Sequence, residues 1–196
     1  MLPVIRSSKA LDTAMARDLP KYFVREEIDL ILNEVKGNPK HYLFLTMLWR
    51  TGARVSEMLR VKVKDVNVRT GTIVLNTLKR KKKPKRVLPI MPDTVGLIAT
   101  HVVKHKLDPE DRLFEFTRER AFAIVKKAAL KAGLDRERAH PHTFRHSFAV
   151  NCLLQKKPVP ITVLQEWMGH ANIQNTLIYL KILAKDAREY FENMEF

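Results

Sequence analysis

Three short stretches toward the end of the chain carry side chains that can act together on a phosphodiester. They are His142-Thr-Phe-Arg145-His146, Gly169-His170, and Tyr179, nine residues after His170. On a helix, residues at i, i+3 and i+4 share a face, so His142, Arg145 and His146 are expected to project together. Arginine can neutralise a phosphate oxygen, histidine can carry a proton, and a tyrosine hydroxyl can attack as a nucleophile.

The opposite face of the same predicted helix is apolar. Phe144, Phe148 and Cys152 lie there, so we expect one side of the helix to pack into the core and the other to remain free for chemistry. The chain has a single cysteine, which excludes an internal disulfide, and the position of Cys152 predicts a small buried hydrophobe. This cysteine usage favours an intracellular, cytoplasmic location.

Two basic features lie earlier in the chain. Arg54 opens a short predicted helix, where free backbone N–H groups already favour an anion. Residues 79–86 are basic at seven of eight positions, and such a run binds phosphates without reading sequence. The run alone is equally well explained as a solvated or localisation-type patch. Its place between two predicted strands favours a hairpin tip that projects into a DNA groove.

A metal site is the alternative interpretation of the histidines. His140, His142 and His146 are close in sequence, and a histidine pair at i, i+4 is a common ligand geometry. Residues 138–165, however, contain no Asp or Glu, so this segment lacks the carboxylates that hold Mg²⁺ in two-metal nucleases. We therefore expect chemistry that uses no metal.

Tyr179, considered alone, is better explained as a packed aromatic side chain than as a nucleophile. Its neighbours change that interpretation, because His170 follows Gly169 after a predicted helix, and a histidine in such a turn is well placed for a phosphate. Tyr190 is the alternative nucleophile, but it lies far beyond the spacing from His170 to Tyr179.

The composition indicates a globular domain with a polyanionic partner. The chain has 196 residues, 45% of them hydrophobic, which suffices for one domain with a core, with or without arms. Lys and Arg number 36 against 21 Asp and Glu, a net charge of +15 that points first to double-stranded DNA. A membrane is not expected, because the longest apolar stretch, residues 42–49, is far shorter than the roughly 18 residues of a span, and no signal peptide is predicted.

The hydrophobic pattern predicts a mainly α domain with a small three-stranded antiparallel sheet. Predicted helices cover 24–35, 40–50, a short segment from 54, and about 93–104, 117–132, 141–155, 161–168, 173–181 and 184–194. Predicted strands cover 66–68, 72–78 and 86–90. Residues 1–20 are weakly patterned and end at Pro20, so we interpret them as an N-terminal arm or linker.

With these motifs the chain resembles the catalytic domain of the tyrosine recombinases, also called the phage integrase family. The matching motifs are Thr51-Gly-Ala-Arg54-Val-Ser-Glu57, a strand-turn lysine followed by Arg86-Val-Leu-Pro89, Pro141-His142-Thr-Phe-Arg145-His146-Ser-Phe-Ala149, Leu164-Gln-Glu-Trp-Met-Gly169-His170, and Tyr179. The resemblance covers about residues 22–190 and implies the family's mostly helical fold with a three-stranded sheet. We expect the catalytic domain at 21–183, and at 184–196 a helix that docks on a neighbouring protomer or packs internally.

The resemblance also implies a role for each matched residue. Arg54 and Arg145 are expected to clamp the scissile phosphate. His142 and His170 are expected beside it, with His142 as the family's usual candidate for the base. Tyr179 is expected to attack the phosphorus.

Two further side chains are expected to support these groups. Glu57 lies near the helix start at Arg54, and His146 lies beside Arg145 on the same predicted helix.

The departing 5′ oxygen needs an acid, and the family assigns that role to a lysine in the turn between the second and third strands. Folding the hairpin about a tip at 80–85 places Lys79 opposite Arg86, which favours Lys79. A shorter turn selects Lys81 instead. The DNA-contacting side chains expected in this hairpin are Arg80, Lys81, Lys82, Lys83, Lys85 and Arg86.

The implied activity is site-specific DNA recombination without a cofactor. One strand is cut at a time, held as a 3′-phosphotyrosine, and attacked by a 5′-hydroxyl of another duplex. Strand exchange implies a homotetramer on two duplexes, with a monomer possible without DNA. The alternatives are a type IB topoisomerase-like enzyme, which would relax supercoils without a specific site, and a non-catalytic DNA-binding regulator, which would not need the full residue set. Most family members also carry an N-terminal helical domain, for which the residues before Tyr22 are too few.

Overall fold

The computed structural model of the chain describes residues 20–77 and 85–183. The helices are α1 (Arg25–Asn33), α2 (Pro39–Thr51), α3 (Val55–Met58), α4 (Pro92–His105), α5 (Arg118–Lys131), α6 (Pro141–Leu153), α7 (Ile161–Met168), α8 (Gln174–Leu177) and α9 (Leu180–Leu183). The strands are β1 (Val66–Asn67), β2 (Thr72–Asn76) and β3 (Lys85–Pro89). Three predictions fall outside the described residues: the arm before Pro20, the basic residues 79–83, and the helix at 184–194.

The three strands form one antiparallel sheet in the order β1-β2-β3. Ile73 pairs with Leu88, and Leu75 pairs with Arg86. These four side chains are buried, whereas their neighbours along each strand are more exposed, which is the alternation of a sheet with one face on a core. The predicted fold class, mainly α with a small three-stranded antiparallel sheet, is confirmed.

The register of the hairpin corrects one prediction. Arg86 pairs with Leu75, and Lys85 pairs with Asn76, so Arg86 does not lie opposite Lys79 in the ladder. The predicted pairing would need a slip of four residues, and Ile73 would then lose Leu88 as its buried cross-strand partner. The pairing argument that favoured Lys79 over Lys81 therefore fails.

Helix α2 runs through the centre of the domain and packs against α4 and α6. The Asn38 side chain accepts a hydrogen bond from the His41 backbone N–H at 3.0 Å, and Pro39 occupies the first turn. The helix ends at Gly52, whose φ of 57° lies in the left-handed region that favours glycine. Both ends agree closely with the sequence-based prediction.

The segment that carries Tyr179 is broken where the sequence predicts one helix. Helices α8 and α9 are separate, and the backbone N–H of Tyr179 bonds to the carbonyl of Thr176, three residues earlier, at 3.1 Å. This tighter turn interrupts the α-helical ladder. The Tyr179 side chain consequently points into the protein, with 2% of the residue exposed.

Two apolar clusters hold the domain together. The larger one joins α1 to α6 with the sheet, and the smaller one joins α6, α7 and the segment around Tyr179. Cys152 is buried in the smaller cluster, as predicted, and burial raises the pKa of its thiol to about 12. None of the helices within 20–77 and 85–183 combines the length and the apolar character that crossing a membrane requires.

Candidate active site

Arg145 lies on α6 and is 4% exposed. Its guanidinium donates to the carbonyl oxygen of Gly52 at 2.6 Å and to that of Met168. The side chain therefore links the end of α2 to the end of α7. Arg145 is less exposed than a free face of α6 would imply, because α2 and α7 pack against the helix, although it lines a cavity with Arg54 and His142. His142 on the same helix is exposed.

The loop after α2 is held by a close contact with α6. A Cβ atom at Gly52 would lie 2.4 Å from Cδ1 of Phe148, closer than any side chain allows. The absence of a side chain lets the Gly52 carbonyl approach Arg145. The motif around Arg54 thus contains a glycine that the packing requires.

Glu57 organises two arginines at the start of α3. Its carboxylate accepts a hydrogen bond from Nη1 of Arg54 at 3.0 Å and another from the Arg54 backbone N–H at 2.9 Å. Its side chain is fully buried. Burial alone would raise the pKa of this carboxyl, but hydrogen bonds and the charges of Arg86 and Arg54 outweigh burial and lower the pKa. Glu57 is therefore a carboxylate that fixes its neighbours, which fits the supporting position predicted for it.

Arg86 is the second partner of Glu57, and its position corrects the prediction that it contacts DNA. The residue is 5% exposed, and its Nη1 and Nη2 donate to Glu57 at 3.1 and 2.8 Å. The Nε group donates to the carbonyl of Trp167 at 2.7 Å, and Nη1 also donates to Thr77. All these donors are used inside the protein, because β3 turns the side chain toward the body of the domain. Lys85, the preceding residue, is exposed.

His170 lies in the turn after α7, as the sequence predicts. Gly169 ends the helix with a φ of 62°, and a Cβ there would lie 3.1 Å from Nη1 of Arg86. His170 is 8% exposed, and its Nδ1 lies 2.9 Å from the hydroxyl oxygen of Thr176. The turn thus brings His170 close to the buried arginines.

The Tyr179 hydroxyl lies 2.8 Å from Nδ1 of His146. The sequence favoured His142 as the partner of this hydroxyl and gave His146 only a supporting position. One helical turn separates the two histidines, and their ring centroids are 6.3 Å apart. Sequence spacing places both histidines on α6. Which of them contacts the Tyr179 hydroxyl depends on the turn between α8 and α9.

A cavity of about 350 Å³ opens between α3, α5 and α6. Its lining comprises Ala53, Arg54, Val55, Ser56, Arg118, Phe122, Pro141, His142 and Arg145. Arg118 and Phe122 were missed by the sequence analysis. Their spacing of four residues puts them on one face of α5, and the guanidinium carbon of Arg118 lies 5.5 Å from the centre of the Phe122 ring.

Positive charge exceeds negative charge around this cavity. Burial and the nearby Arg54 lower the pKa of Arg145 to about 9, so it remains a cation at neutral pH. Burial and the charges of Arg145 and Arg54 lower the pKa of His170 to about 3. Burial lowers the pKa of His146 to about 4 and raises that of Tyr179 to about 12. Cations that repel one another in this way stabilise an anion that enters between them.

No three histidine, cysteine or carboxylate side chains are arranged to hold a metal ion in the part of the chain that the structure describes. Lys79 and Lys81, the two candidates for the acid, are not among the described residues. The same is true of the predicted DNA contacts Arg80, Lys82 and Lys83.

The chain belongs to the phage integrase family, whose model matches residues 21–186. A tyrosine recombinase of Pseudothermotoga lettingae is 30% identical over 174 residues, which cover 87% of this chain and 59% of that protein. The tyrosine recombinase XerA of Pyrococcus horikoshii is 31% identical, over 95% of this chain and 65% of its own length. The chain thus spans about three fifths of the length of the curated relatives it matches.

Solved structures share the fold. The catalytic domain of bacteriophage HP1 integrase superposes with a TM-score of 0.64 at 25% identity, over 83% of this chain and 88% of that one. The XerA recombinase crystal structure gives a TM-score of 0.72 at 21% identity, over 91% of this chain and 67% of that one. The structure of XerH bound to a palindromic difH substrate, in a post-cleavage complex, gives a TM-score of 0.75 at 23% identity. The match covers 90% of this chain and 54% of that one.

Proposed function

We propose that this chain is the catalytic part of a site-specific tyrosine recombinase that cuts and rejoins DNA through a 3′-phosphotyrosine. The observation that carries the proposal is the convergence of the predicted residues. Arg54, His142 and Arg145 line one cavity. Tyr179 meets α6 at His146, one turn from His142. The family match over residues 21–186 supports the same conclusion.

Arg54 and Arg145 neutralise the charge that builds on the non-bridging oxygens as the phosphate becomes five-coordinate. Arg54 is the more accessible of the two, with 27% of its side chain exposed. Backbone carbonyls hold the guanidinium of Arg145 in place, so its positive charge is already positioned at the cavity before a phosphate binds. His142 and His170 lie beside these arginines and donate hydrogen bonds to the phosphate in the proposed complex.

In the cleavage step, the Tyr179 oxygen forms a bond to phosphorus and passes its proton to a histidine of α6, while the bond from phosphorus to the 5′ oxygen breaks. The departing oxygen takes a proton from Lys79 or Lys81. Because the phosphotyrosine conserves the phosphodiester bond energy, the 5′-hydroxyl of another strand can reverse the step without a nucleotide cofactor. No metal is needed for charge neutralisation, since the arginines supply it.

The proposed substrate is double-stranded DNA. The net charge of +15 provides a sequence-independent attraction to phosphates, and the relative XerH has been captured with its difH substrate. Exchange between two duplexes requires four protomers, so we propose a homotetramer on DNA, with residues 184–196 as a candidate contact between protomers. Because the substrate is DNA, we expect action in the cytoplasm.

Covalent trapping tests the proposal. The protein is incubated in EDTA with a pool of nicked duplexes of randomised arm sequence, from which the cut end diffuses away and prevents religation. We expect an adduct that resists SDS with the wild type and none with Tyr179→Phe. Tight DNA binding without any adduct would favour a regulator, and relaxation of plasmids that lack a selected site would favour the topoisomerase-like alternative.

A further inference from the structure

Tyr179 and His146 form a contact between a nucleophile candidate and a proton acceptor. The hydroxyl oxygen lies 2.8 Å from Nδ1, and the ring centroids are 5.8 Å apart. The tyrosine is 2% exposed and His146 is half-buried, so bulk water has little access to this hydrogen bond. A proton leaving the hydroxyl would therefore pass first to this imidazole.

We propose that His146 is the base for Tyr179: Nδ1 accepts the hydroxyl proton as the tyrosine attacks DNA and returns it when the tyrosine leaves. This inference rests on the proposed function and replaces His142, which the family resemblance implied as the base. His142, which lines the cavity with Arg54 and Arg145, then acts on the phosphate rather than on the tyrosine.

The tautomer fits this role. Burial and the neighbouring His142, Arg145 and His140 keep His146 neutral near pH 7, and burial keeps the Tyr179 hydroxyl protonated. A neutral imidazole that accepts at Nδ1 carries its hydrogen on Nε2. In the tautomer that carries its hydrogen on Nε2, the tyrosine O–H donates and the imidazole accepts, which is the direction that the proposed proton transfer requires.

The charged groups around His146 also link proton transfer from Tyr179 to DNA binding. The groups facing His146 are His140, His142 and Arg145 on its own helix, and Tyr179 and His170 from the segment packed on it. An imidazolium is unfavourable among them while the cavity holds no anion. A phosphodiester bound to Arg54 and Arg145 supplies negative charge and makes His146 more basic at the moment when Tyr179 must lose its proton.

Two substitutions at His146 separate proton transfer from positioning. His146→Asn places an amide oxygen near the position of Nδ1, so the hydroxyl keeps a hydrogen-bond acceptor that cannot take a proton. His146→Ala removes both properties. With the nicked-duplex pool on which the wild type forms its adduct, we expect both variants to cleave about 100-fold more slowly at neutral pH. Both should recover as pH rises, about tenfold per unit, because the tyrosine then ionises without a base.

The matched control is His105→Ala, which removes an exposed histidine at the end of α4 whose ring contacts His101, away from the site. It should cleave as the wild type does. His142→Asn should cleave more slowly but keep the wild-type pH dependence, because it loses a phosphate contact rather than the base. A gel-shift measurement on the same pool checks that the His146 variants and the control bind DNA as the wild type does.

The inference would be overturned if His146→Ala cleaved at the wild-type rate, or if His146→Asn had both the wild-type rate and the wild-type pH profile. Neither result would affect the assignment of Tyr179 as the nucleophile. Failure of the wild type to form any adduct would instead overturn the proposed function. A measurement without DNA checks the contact: in histidine-labelled protein, the Nδ1 resonance of His146 should shift in Tyr179→Phe, and an unchanged resonance would contradict the hydrogen bond.

Discussion

At the scale of single residues, the site depends on buried charges that are fixed by other buried charges. Arg86 illustrates this, because four hydrogen bonds from one guanidinium connect β3, α3 and the end of α7. The sequence placed it in a basic run, where an arginine that faces inward looks the same as one that faces DNA. Alternation along β3 is the signal that distinguishes them, since Arg86 has the same parity as the buried Leu88.

Replacing Arg86 by methionine should destabilise the protein by about 3–5 kcal/mol, because the Glu57 carboxylate would remain buried without its main partner. Urea unfolding followed by circular dichroism measures the change. Adding Glu57→Gln should restore part of the loss. Lys85→Met, at the exposed neighbouring position, should change stability by no more than about 0.5 kcal/mol. If Arg86→Met and Lys85→Met lost equal stability, the role of Arg86 as the buried partner of Glu57 would be contradicted.

His170 makes stability depend on pH. It is neutral in the folded protein down to a pKa of about 3, whereas in the unfolded chain a histidine binds a proton near pH 6.5. The unfolded state therefore holds one more proton between these values. As pH falls below about 6.5, stability should decline by about 1.4 kcal/mol per unit for this group. His170→Asn should lessen the slope by that amount in unfolding measurements between pH 7 and 5, and parallel curves would show that His170 is accessible to protons in the folded state.

The general acid can be identified with a modified substrate. A sulfur in place of the 5′ bridging oxygen leaves without protonation, because thiols have a much lower pKa than alcohols. Of Lys79→Ala and Lys81→Ala, the variant that lacks the acid should cleave normal DNA at least 100-fold more slowly and be rescued by the sulfur substrate. The other should show a smaller loss that the sulfur does not rescue. If the sulfur substrate rescued neither variant, both lysines would be excluded as the general acid.

At the scale of elements, glycines let helices and turns approach the arginines. Gly52→Ala should cost about 1–3 kcal/mol, because its Cβ would meet Phe148 at 2.4 Å and its φ is 57°. Gly37→Ala is the matched control, since a Cβ there has open space within 4 Å and the backbone is not in the left-handed region. Thermal unfolding compares the two. Similar melting temperatures for both variants would contradict the tight contact between the α2 end and α6.

The elements were largely predictable because their signals are local. Asn38, Pro39 and Gly52 mark the two ends of α2, and the β-rich segments gave all three strands. The break between α8 and α9 was not predictable, because no glycine or proline lies at residues 173–181. The partner of Tyr179 depends on that break and on long-range packing. The candidate residues could therefore be named from the sequence, but the contacts that they make could not.

At the scale of the whole molecule, the net charge of +15 should make DNA binding strongly dependent on salt. Each phosphate contact contributes about −0.9 to the slope of log K against log salt. Changing Lys81, Lys82 and Lys83 together to alanine should reduce the magnitude of that slope by up to about 2.7 if each contacts a phosphate. Fluorescence anisotropy on a random duplex measures it. An unchanged slope would show that these three lysines do not contact phosphates.

Recombination through a phosphotyrosine requires that Tyr179 becomes covalently joined to DNA. The most direct measurement is mass spectrometry of the trapped adduct after nuclease and trypsin digestion. Trypsin cuts after Lys181 and Arg188, so Tyr179 and Tyr190 fall in different peptides. We expect a nucleotide phosphate on the peptide that ends at Lys181. The same mass on the peptide that contains Tyr190, or on a serine or histidine, would contradict it.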